Sequence, residues 1–457
     1  MANGTYTGNA FNGRAIGGIA VDPTNPNHLY VGSVRAVRGV ASVSTGGSSN
    51  PPTPRPPFGL WESTDGGATF NFIWDGSDVC PGATCNGTTA KANVRGVNHV
   101  ELDPGWNGTT NRIIYASSFG LNGVVPGAGG VWRSADGGQT WAQIKSARNQ
   151  AAGDNSDRCE FSLTTITGPK TRMYVGCGNG SNTAANLARV YRTDDAVAAA
   201  SDANFIDLTA AQDASGAPNQ TIGYCSSNAA GAQCWYDNVI YTPPGKPDVV
   251  IVGGSFDYDQ YGVRNNGRAF LRSTDAGMTF TDQTWDSTTG PTPNPTCCQN
   301  NAIAPNGMHP DSQFAIEVPG TNITIYASDG GLVRSSGAFA DISSQCDNLS
   351  RNFGAPLSPT DLATCKQLLK SVPTLITSMN VGLSTLQFQS VSVSPTDNTN
   401  IQGGTQDNGT FQTFNSQSWP QTYYGDGGLS GFATSDPALR FFSNTGRSIV
   451  ANFRNGD

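Results

Sequence analysis

Short runs of alternating apolar and polar residues recur along the chain, and turn residues separate them. Residues 17–33, GGIAVDPTNPNHLYVGS, contain one alternating run, an Asp-Pro-Thr-Asn-Pro turn and a second run. This period of two predicts β-strands, and the clustered Pro, Asn and Asp predict the turn. After a stretch rich in Gly, Pro and Ser, GLWESTDGGATFNFI at 59–73 predicts a hairpin. The first repeat therefore consists of four short strands.

The same four-strand pattern continues to the end of the chain. Four-stranded units that repeat radially are typical of a β-propeller. The predicted fold class is therefore all-β, a single seven-bladed propeller domain over residues 1–457. The last repeat supplies three strands, and we expect residues 4–11 to supply its fourth; the alternative is that the parent chain continues past Asp457. The predicted blades span residues 17–73, 97–144, 160–208, 236–285, 308–342, 385–424 and 428–457 closed by 4–11.

The predicted blades are longer than compact ones because of inserted loops. The insertions are residues 34–59, 209–238, 285–313 and 343–384. The last of them contains PTDLATCKQLLKSV at 359–372, which predicts a short helix.

A Ser-x-Asp-x-Gly-x-Thr-aromatic motif recurs in the predicted hairpins, as STDGGATF at 63–70, SADGGQTW at 134–141 and STDAGMTF at 273–280. An Asp side chain accepts hydrogen bonds from the backbone of its own turn, and glycine permits positive φ. The three aspartates are therefore predicted to be structural: Asp65, Asp136 and Asp275. Arginines precede two of these copies and a further copy, interrupted by a small insertion, that begins TDD at 193–195. They are predicted to be exposed strand residues with the same role: Arg133, Arg192 and Arg272.

These motifs resemble the Asp-box, also called the bacterial neuraminidase repeat. It occurs in sialidases, xyloglucanase-type glycoside hydrolases and sortilin-type receptor propellers. The resemblance extends through the predicted blades over nearly the whole chain. It implies a propeller whose Asp-box hairpins lie on the rim away from the ligand-binding face. It says little about function, because these families do different things.

The charge of the chain narrows the classes of partner. The formal net charge is -8, and charged residues make up 13% of the chain. A nucleic-acid partner requires a basic surface, which this composition does not provide. No run of eighteen apolar residues occurs, so membrane insertion is not predicted. The start, MANGTYTGNA, does not have the pattern of a signal peptide, so the chain is either cytosolic or begins at a mature end.

The cysteines favour the second alternative. The chain has ten cysteines, but a zinc site requires CxxC pairs or nearby histidines, and the histidines are only His28, His99 and His309. Plausible disulfide pairs are Cys80–Cys85, Cys159–Cys177, Cys225–Cys234 and Cys346–Cys365. Cys297 and Cys298 are a vicinal bridge, members of two bridges, or free thiols. Disulfides predict an extracellular or periplasmic location.

Candidate site residues lie in the loops of repeats four to seven, on the face where propeller ligands usually bind. The candidate catalytic residues are Asp311, Asp329, Asp407 and Asp426. The candidate ligand-binding residues are Asp257, Tyr258, Tyr261, Arg264, His309, Gln406 and Tyr424. Each acidic turn is also typical of an ordinary Asx turn. No cofactor is predicted, although clustered acids are able to bind Ca²⁺ as a structural ion.

Two functions remain open. The first is a secreted, glycan-directed propeller, a glycoside hydrolase with paired aspartates. The resemblance to xyloglucanase-type enzymes implies one Asp after the second strand of the first blade, but residues 31–47, VGSVRAVRGVASVSTGG, contain no acid. A sialidase is not expected, because no Arg-Ile-Pro occurs and all four glutamates lie in or beside predicted strands. The second is a non-catalytic scaffold that binds a glycan or an extracellular protein.

Overall fold

The computed structural model describes most of the chain, in seventeen segments. They are residues 5–12, 14–35, 56–76, 94–120, 129–147, 158–168, 170–178, 188–208, 224–228, 231–234, 237–256, 266–288, 308–349, 355–383, 386–423, 425–444 and 448–454.

Within these segments the chain is all-β, and its main sheets follow one another in sequence. The strands of the first sheet are Arg14–Val21, Leu29–Arg35, Leu60–Ser63 and Phe70–Trp74. Those of the second are Val94–Leu102, Ile114–Gly120, Gly130–Ser134 and Ala142–Ser146. Those of the third are Arg158–Thr165, Thr171–Gly178, Arg189–Thr193 and Ile206–Asp207. Those of the fourth are Val239–Tyr241, Val250–Gly253, Phe270–Ser273 and Thr281–Asp282. One pairing, Val34 opposite Gly96, joins the first and second sheets into a nine-stranded sheet that includes Thr5–Tyr6.

The remaining main sheets complete the series. The strands of the fifth sheet are Ser312–Glu317, Thr324–Ser328, Gly331–Ser335 and Ile376–Ser378. Those of the sixth are Phe388–Val393, Asn400–Thr405, Gly409–Phe414 and Gln421–Tyr423. Those of the seventh are Gly427–Phe432, Arg440–Asn444 and Ser448–Asn452. The prediction of an all-β chain with four-stranded antiparallel units is confirmed, whereas the number of blades stays a prediction.

Smaller elements lie between and beside these sheets. Two-stranded sheets pair Ser226–Asn228 with Gly231–Ala232 and Phe339–Ala340 with Val372–Pro373. The helices of the described segments are the α-helix Pro359–Leu368 and the 3₁₀ helices Asp202–Asn204 and Ser343–Asp347. The α-helix confirms the helical prediction for this insertion. It begins after Ser358, whose hydroxyl oxygen accepts the N–H of Asp361 at 3.1 Å.

The N-terminal strand Thr5–Tyr6 extends the first sheet instead of the last one. It pairs antiparallel with the outer strand of the first sheet, with Thr5 opposite Asn71. The Tyr6 ring packs edge-to-face on Trp61 with 4.9 Å between ring centroids, and Tyr6 is buried. This aromatic contact holds the segment in place. The prediction that residues 4–11 supply the fourth strand of the seventh repeat is therefore wrong for the described residues.

The fifth sheet also differs from its prediction. Its fourth strand is Ile376–Ser378, which follows the long insertion, whereas residues 339–340 were expected to close the repeat. The disulfide Cys346–Cys365 and the α-helix fold this insertion back on itself. The returning chain therefore reaches the edge of the sheet, and the expected fourth strand pairs elsewhere.

The Ser-x-Asp hairpins join the third and fourth strands of their sheets, as predicted. In the first sheet, Ser63 Oγ donates to Asp65 Oδ1 at 2.8 Å, and the N–H of Thr69 donates to the same oxygen at 2.9 Å. Asp136 and Asp275 accept the corresponding bonds. Hydrogen bonds from Thr69 lower the pKa of Asp65 to about 2. The predicted structural role of these aspartates is confirmed.

The arginines before the hairpins are not exposed, which corrects their prediction. Arg133 Nη1 donates to the carbonyl oxygen of Ala196 at 2.8 Å. Arg192 Nη1 donates to the carbonyl oxygen of Ala276 at 2.6 Å. Arg272 is buried, with 7% of its surface exposed. The first two arginines therefore tie one sheet to the hairpin region of the following sheet.

Asp136→Ala is expected to lower the free energy of unfolding by roughly 1–3 kcal/mol, because the N–H groups of Gln139 and Thr140 lose their acceptor. Urea unfolding of the variant measures this loss. Gln139→Ala is the matched control, since that side chain lies exposed in the same hairpin. Equal stability of the two variants would contradict the structural role of the aspartate.

Three disulfides occur in the described segments. They are Cys159–Cys177, Cys225–Cys234 and Cys346–Cys365, all predicted from the sequence. Cys159 and Cys177 lie directly opposite each other in the third sheet, 4.2 Å apart at Cα. The other four cysteines lie outside the described residues: Cys80, Cys85, Cys297 and Cys298. The bridges indicate an oxidising compartment, extracellular or periplasmic.

In the described segments no helix has the length and apolar character needed to cross a bilayer.

The chain divides into two compact units. Unit 1 comprises Met1–Tyr326 and Arg334–Thr377. Unit 2 comprises Ala327–Val333 and Ser378–Asp457. Unit 2 thus contains the sixth and seventh sheets together with the turn between the second and third strands of the fifth sheet. Predicted site residues occur in both units.

Candidate functional site

Three of the four predicted catalytic aspartates lie together in unit 2. Asp329 occupies the turn between the second and third strands of the fifth sheet, and Asp407 occupies the same turn of the sixth. Asp426 immediately precedes the seventh sheet. One carboxylate oxygen of Asp329 lies within 4.8 Å of one of Asp407. The backbone N–H of Asp407 donates to Asp426 Oδ1 at 3.0 Å. These three residues form the acid cluster of unit 2.

A tight turn directs Asp407 towards its acidic neighbours. The backbone of Asp407 is in the left-handed region, with φ of +62°. Asp and Asn tolerate this conformation better than most residues. Gly409 has φ of +90°, and a β-carbon there would lie 2.1 Å from the carbonyl oxygen of Tyr423. The Asp-Asn-Gly sequence therefore suits this turn, which the Thr405 hydroxyl closes by donating to the Gly409 carbonyl at 2.8 Å.

The acid cluster holds a proton at neutral pH. Burial raises the pKa of Asp407, and hydrogen bonds with the carboxyl groups of Asp426 and Asp329 raise it further, to about 8. A hydrogen bond between two carboxyl groups requires a proton on one of them, and their charges repel when both are ionised. Asp407 is therefore the protonated member at pH 7.

The fourth candidate, Asp311, lies in unit 1 within its own polar network. Asp311 is buried, and its Oδ1 accepts Gln233 Nε2 at 2.6 Å and the Ser255 hydroxyl at 3.3 Å. The same Gln233 nitrogen lies 3.0 Å from Asp237 Oδ2. Asp237 is fully buried, and its Oδ1 accepts Gln313 Nε2 at 3.1 Å. Gln233 therefore bridges two carboxyl groups in this unit.

Sequence reasoning missed Gln233 and Asp237. Gln233 precedes Cys234 in the loop closed by the Cys225–Cys234 bridge, and Asp237 follows three residues later. The sequence feature that could have indicated these residues is the acidic Asp237 close to a loop closed by a predicted disulfide. The pairing with Asp311, however, joins positions 78 residues apart in sequence. No local pattern indicates such a contact.

Two of the seven predicted ligand-binding residues lie in the described segments, and their role stays a prediction. His309 Nδ1 lies 3.1 Å from the carbonyl oxygen of Pro310. Gln406 is exposed next to Asp407, and its Oε1 accepts Gln389 Nε2 at 3.2 Å. The other five lie outside the described residues: Asp257, Tyr258, Tyr261, Arg264 and Tyr424.

The acid cluster also has the ligand type that Ca²⁺ takes. A complete Ca²⁺ site uses about six to eight oxygen ligands. Three carboxyl groups that each supply one oxygen provide fewer than that. A proton and a cation also compete for the same oxygens. The chemistry that these carboxyl groups offer by themselves is proton transfer, because the raised pKa of Asp407 lets it act as an acid beside two other carboxyl groups.

The comparisons with known proteins concern the fold. No family model and no curated protein sequence matches the chain. The structure is similar to the crystal structure of the GH74 xyloglucanase from Xanthomonas campestris, with 16% sequence identity and a TM-score of 0.50. The match covers 96% of this chain and 50% of that one, so the chain spans about half the length of the xyloglucanase. This likeness shows the β-propeller fold.

Two further solved structures are more distant. YCF48 from Cyanidioschyzon merolae matches with 14% identity and a TM-score of 0.37, over 94% of this chain and 93% of that one. The extracellular domain of a hybrid two-component system from B. thetaiotaomicron matches with 10% identity and a TM-score of 0.35, over 97% of this chain and 40% of that one.

Proposed function

We propose that this chain is a secreted, glycan-directed β-propeller of the Asp-box type with seven blades, and that it hydrolyses glycosidic bonds at the acid cluster of unit 2. The observation that carries the proposal is the close grouping of three carboxyl groups, with Asp407 lying beside Asp329 and Asp426. Burial and the neighbouring carboxyl groups hold the pKa of Asp407 at about 8. Glycoside hydrolysis uses this combination, an acid that stays protonated near neutral pH and a carboxylate next to it.

Each carboxyl group has a defined part in the proposed reaction. Asp407 donates its proton to the glycosidic oxygen as the bond to the anomeric carbon breaks. Asp329, as a carboxylate, attacks the anomeric carbon and forms a glycosyl ester. Asp407, now ionised, then takes a proton from a water molecule that hydrolyses the ester. Asp426 keeps its negative charge next to Asp407 and favours return of the proton after each cycle.

The separation of the two carboxyl groups supports this sequence of steps. Their oxygens lie within 4.8 Å. Retaining glycosidases have carboxyl groups about 5–5.5 Å apart, whereas inverting enzymes leave about 6.5–9.5 Å for a water molecule. The carboxyl groups of Asp329 and Asp407 are hydrogen-bonded and so lie closer together than in either class, which leaves no room for the water molecule of an inverting enzyme.

The first product is therefore expected to retain the anomeric configuration of the substrate. Proton NMR of the anomeric signals during the first minutes of hydrolysis distinguishes the two configurations before mutarotation mixes them. Methanol added to the reaction is expected to give a methyl glycoside, since a glycosyl ester is open to attack by other nucleophiles. An inverted first product would contradict nucleophilic attack by Asp329.

A hydrolysis screen tests the proposal itself. The purified chain is incubated with neutral polysaccharides (xyloglucan, xylan, mannan and mixed-linkage glucan) and with anionic ones (polygalacturonate and a sialylated glycan). Cleavage of a neutral polymer is expected, because the negative charge of the acid cluster repels carboxylated sugars. Reducing-end release across pH 5 to 9 is expected to fall above about pH 8, where Asp407 loses its proton. Cleavage of no polymer would count against a hydrolase.

A non-catalytic glycan-binding or scaffold propeller is the second candidate. The observation that favours it is the direct hydrogen bonding among the three carboxyl groups, which leaves less room for a sugar between them than either glycosidase spacing. In that case the same polymers are retained by the protein but not cut. Affinity electrophoresis in gels that contain each polysaccharide separates these outcomes.

A further inference from the structure

Asn380 lies beside the turn that carries Asp329. Its side chain forms hydrogen bonds with the two backbone groups on either side of Gly331. Asn380 Nδ2 donates to the carbonyl oxygen of Gly330 at 2.8 Å. Asn380 Oδ1 accepts the N–H of Leu332 at 2.8 Å. The Asn380 amide therefore pairs with the carbonyl oxygen of Gly330 and with the N–H of Leu332 at the same time. All these residues belong to unit 2.

The turn fits closely against this side chain. Gly331 lies between the two bonded backbone groups, with φ of +101°. A β-carbon on residue 331 would lie 2.2 Å from Asn380 Oδ1. Glycine is therefore required here both by the backbone conformation and by the approach of the amide. This glycine follows Asp329 by two residues, so the Asn380 contact fixes the acidic turn at its C-terminal side.

Asn408 holds the other side of the Asp329 turn. Its Nδ2 donates to the carbonyl oxygen of Asp329 at 2.9 Å. Asn408 directly follows Asp407, so this bond joins the two acidic turns. Two asparagines outside the acid cluster therefore bind the backbone of the Asp329 turn, one on each side.

The segment that carries Asn380 is itself tied to the fifth sheet. The N–H of Met379 donates to the carbonyl oxygen of Leu332 at 2.9 Å. The N–H of Asn380 donates to the Ser378 hydroxyl at 3.2 Å. The backbone at residues 378–380 is therefore held next to the turn that carries Asp329.

We propose that Asn380 is a positioning residue of the acid site, which keeps the Asp329 carboxyl group within hydrogen-bonding distance of Asp407. The catalytic consequence of this proposal rests on the proposed function, but the positioning itself does not. Without the amide, the Gly-rich turn is free to move Asp329 away from Asp407. Asp407 then shares its proton with Asp426 alone.

Asn380→Ala tests the proposal through the titration of Asp407. The protein is labelled with ¹³C at the aspartate carboxyl carbons, and the Asp407 signal is assigned by its loss in Asp407→Asn. The titration midpoint of Asp407 is expected to fall by about one pH unit or more, since one charged neighbour and one hydrogen bond are lost. The upper limb of the activity profile is expected to move down in parallel.

Two further variants keep the test specific. Gly331→Ala disturbs the same contact from the other side and is expected to lower the midpoint in the same direction. Asn398→Ala is the matched control, an exposed asparagine in a turn of the sixth sheet, and is expected to leave the midpoint unchanged. Asn380 is also exposed, so the melting temperature of Asn380→Ala is expected to stay close to that of the wild type.

Each outcome has one meaning. An unchanged midpoint in Asn380→Ala overturns the proposal, and so does an ordinary carboxyl midpoint for Asp407 in the wild type. A lowered midpoint supports it even if no polysaccharide is cleaved, because the titration does not depend on catalysis. A wild-type protein that titrates as expected but cuts nothing therefore counts against the hydrolase alone.

Discussion

Asp407→Asn is expected to lower kcat for polysaccharide hydrolysis by about 10²- to 10⁴-fold, because an amide cannot supply the proton that the leaving oxygen requires. The substitution changes the acid without changing the turn. Residue 407 has φ of +62°, and asparagine tolerates the left-handed region at least as well as aspartate. The backbone N–H that binds Asp426 is also kept. A loss of activity in this variant would therefore result from the missing proton and not from a disturbed fold.

Initial rates at pH 6, where Asp407 is protonated, measure this effect. Asp397→Asn is the matched control, since Asp397 is an exposed carboxylate of the sixth sheet region that accepts hydrogen bonds from Thr399. That variant is expected to keep the wild-type rate. A substrate with a good leaving group, such as an aryl glycoside, needs less protonation and is expected to recover part of the lost rate in Asp407→Asn. An active Asp407→Asn enzyme on polysaccharide would exclude Asp407 as the acid.

The second large effect is expected in the pH dependence of stability, through His99. Its Nδ1 lies 2.7 Å from Glu160 Oε2, and its Nε2 lies 3.0 Å from Glu101 Oε1. The ring also stacks on Phe161 at 4.5 Å. Burial by itself lowers the pKa of His99, but the hydrogen bonds to Glu101 and Glu160 outweigh burial and raise the pKa to about 10. The charged imidazolium therefore joins the first strands of the second and third sheets.

Stability is expected to decrease as the pH rises from about 6.5 to about 10. The unfolded chain releases the His99 proton near pH 6.5, while the folded protein keeps it until about pH 10. The stabilisation is thus complete below pH 6.5, declines between the two values and is lost above the higher one. A shift of this size corresponds to a free energy on the order of 3–5 kcal/mol.

Urea unfolding at pH 6, 8 and 10 measures the contribution of His99. In His99→Gln the free energy of unfolding is expected to be lower than in the wild type at pH 6 and to approach the wild-type value at pH 10. His309→Gln is the control, because the Nδ1 of His309 faces a backbone carbonyl oxygen. A constant difference between His99→Gln and the wild type across this range would show that His99 does not stay charged in the folded protein.

The grouping of the three aspartates in the acid cluster could be predicted only in part. The Asp-Gly and Asp-Asn-Gly endings directed attention to Asp329, Asp407 and Asp426, since such sequences form tight turns after strands. Their mutual contact, and the raised pKa that follows from it, depend on turns that are about 80 and 20 residues apart in sequence. Asn380 gave no sequence signal, because an exposed asparagine in a loop is common. Its role comes from the bonds to Gly330 and Leu332.

What the sequence by itself determined is the local architecture of this protein. Alternating strands, the Ser-x-Asp hairpins and the Cys159–Cys177 pair follow from contacts between near neighbours, so a short window contains the physical cause. The tertiary structure alone decided where Thr5–Tyr6 pairs, which strand completes the fifth sheet, and which carboxyl group keeps its proton. These features arise from aromatic packing, a cross-linked insertion and charge repulsion between residues distant in sequence. Such interactions exist only once the chain has folded.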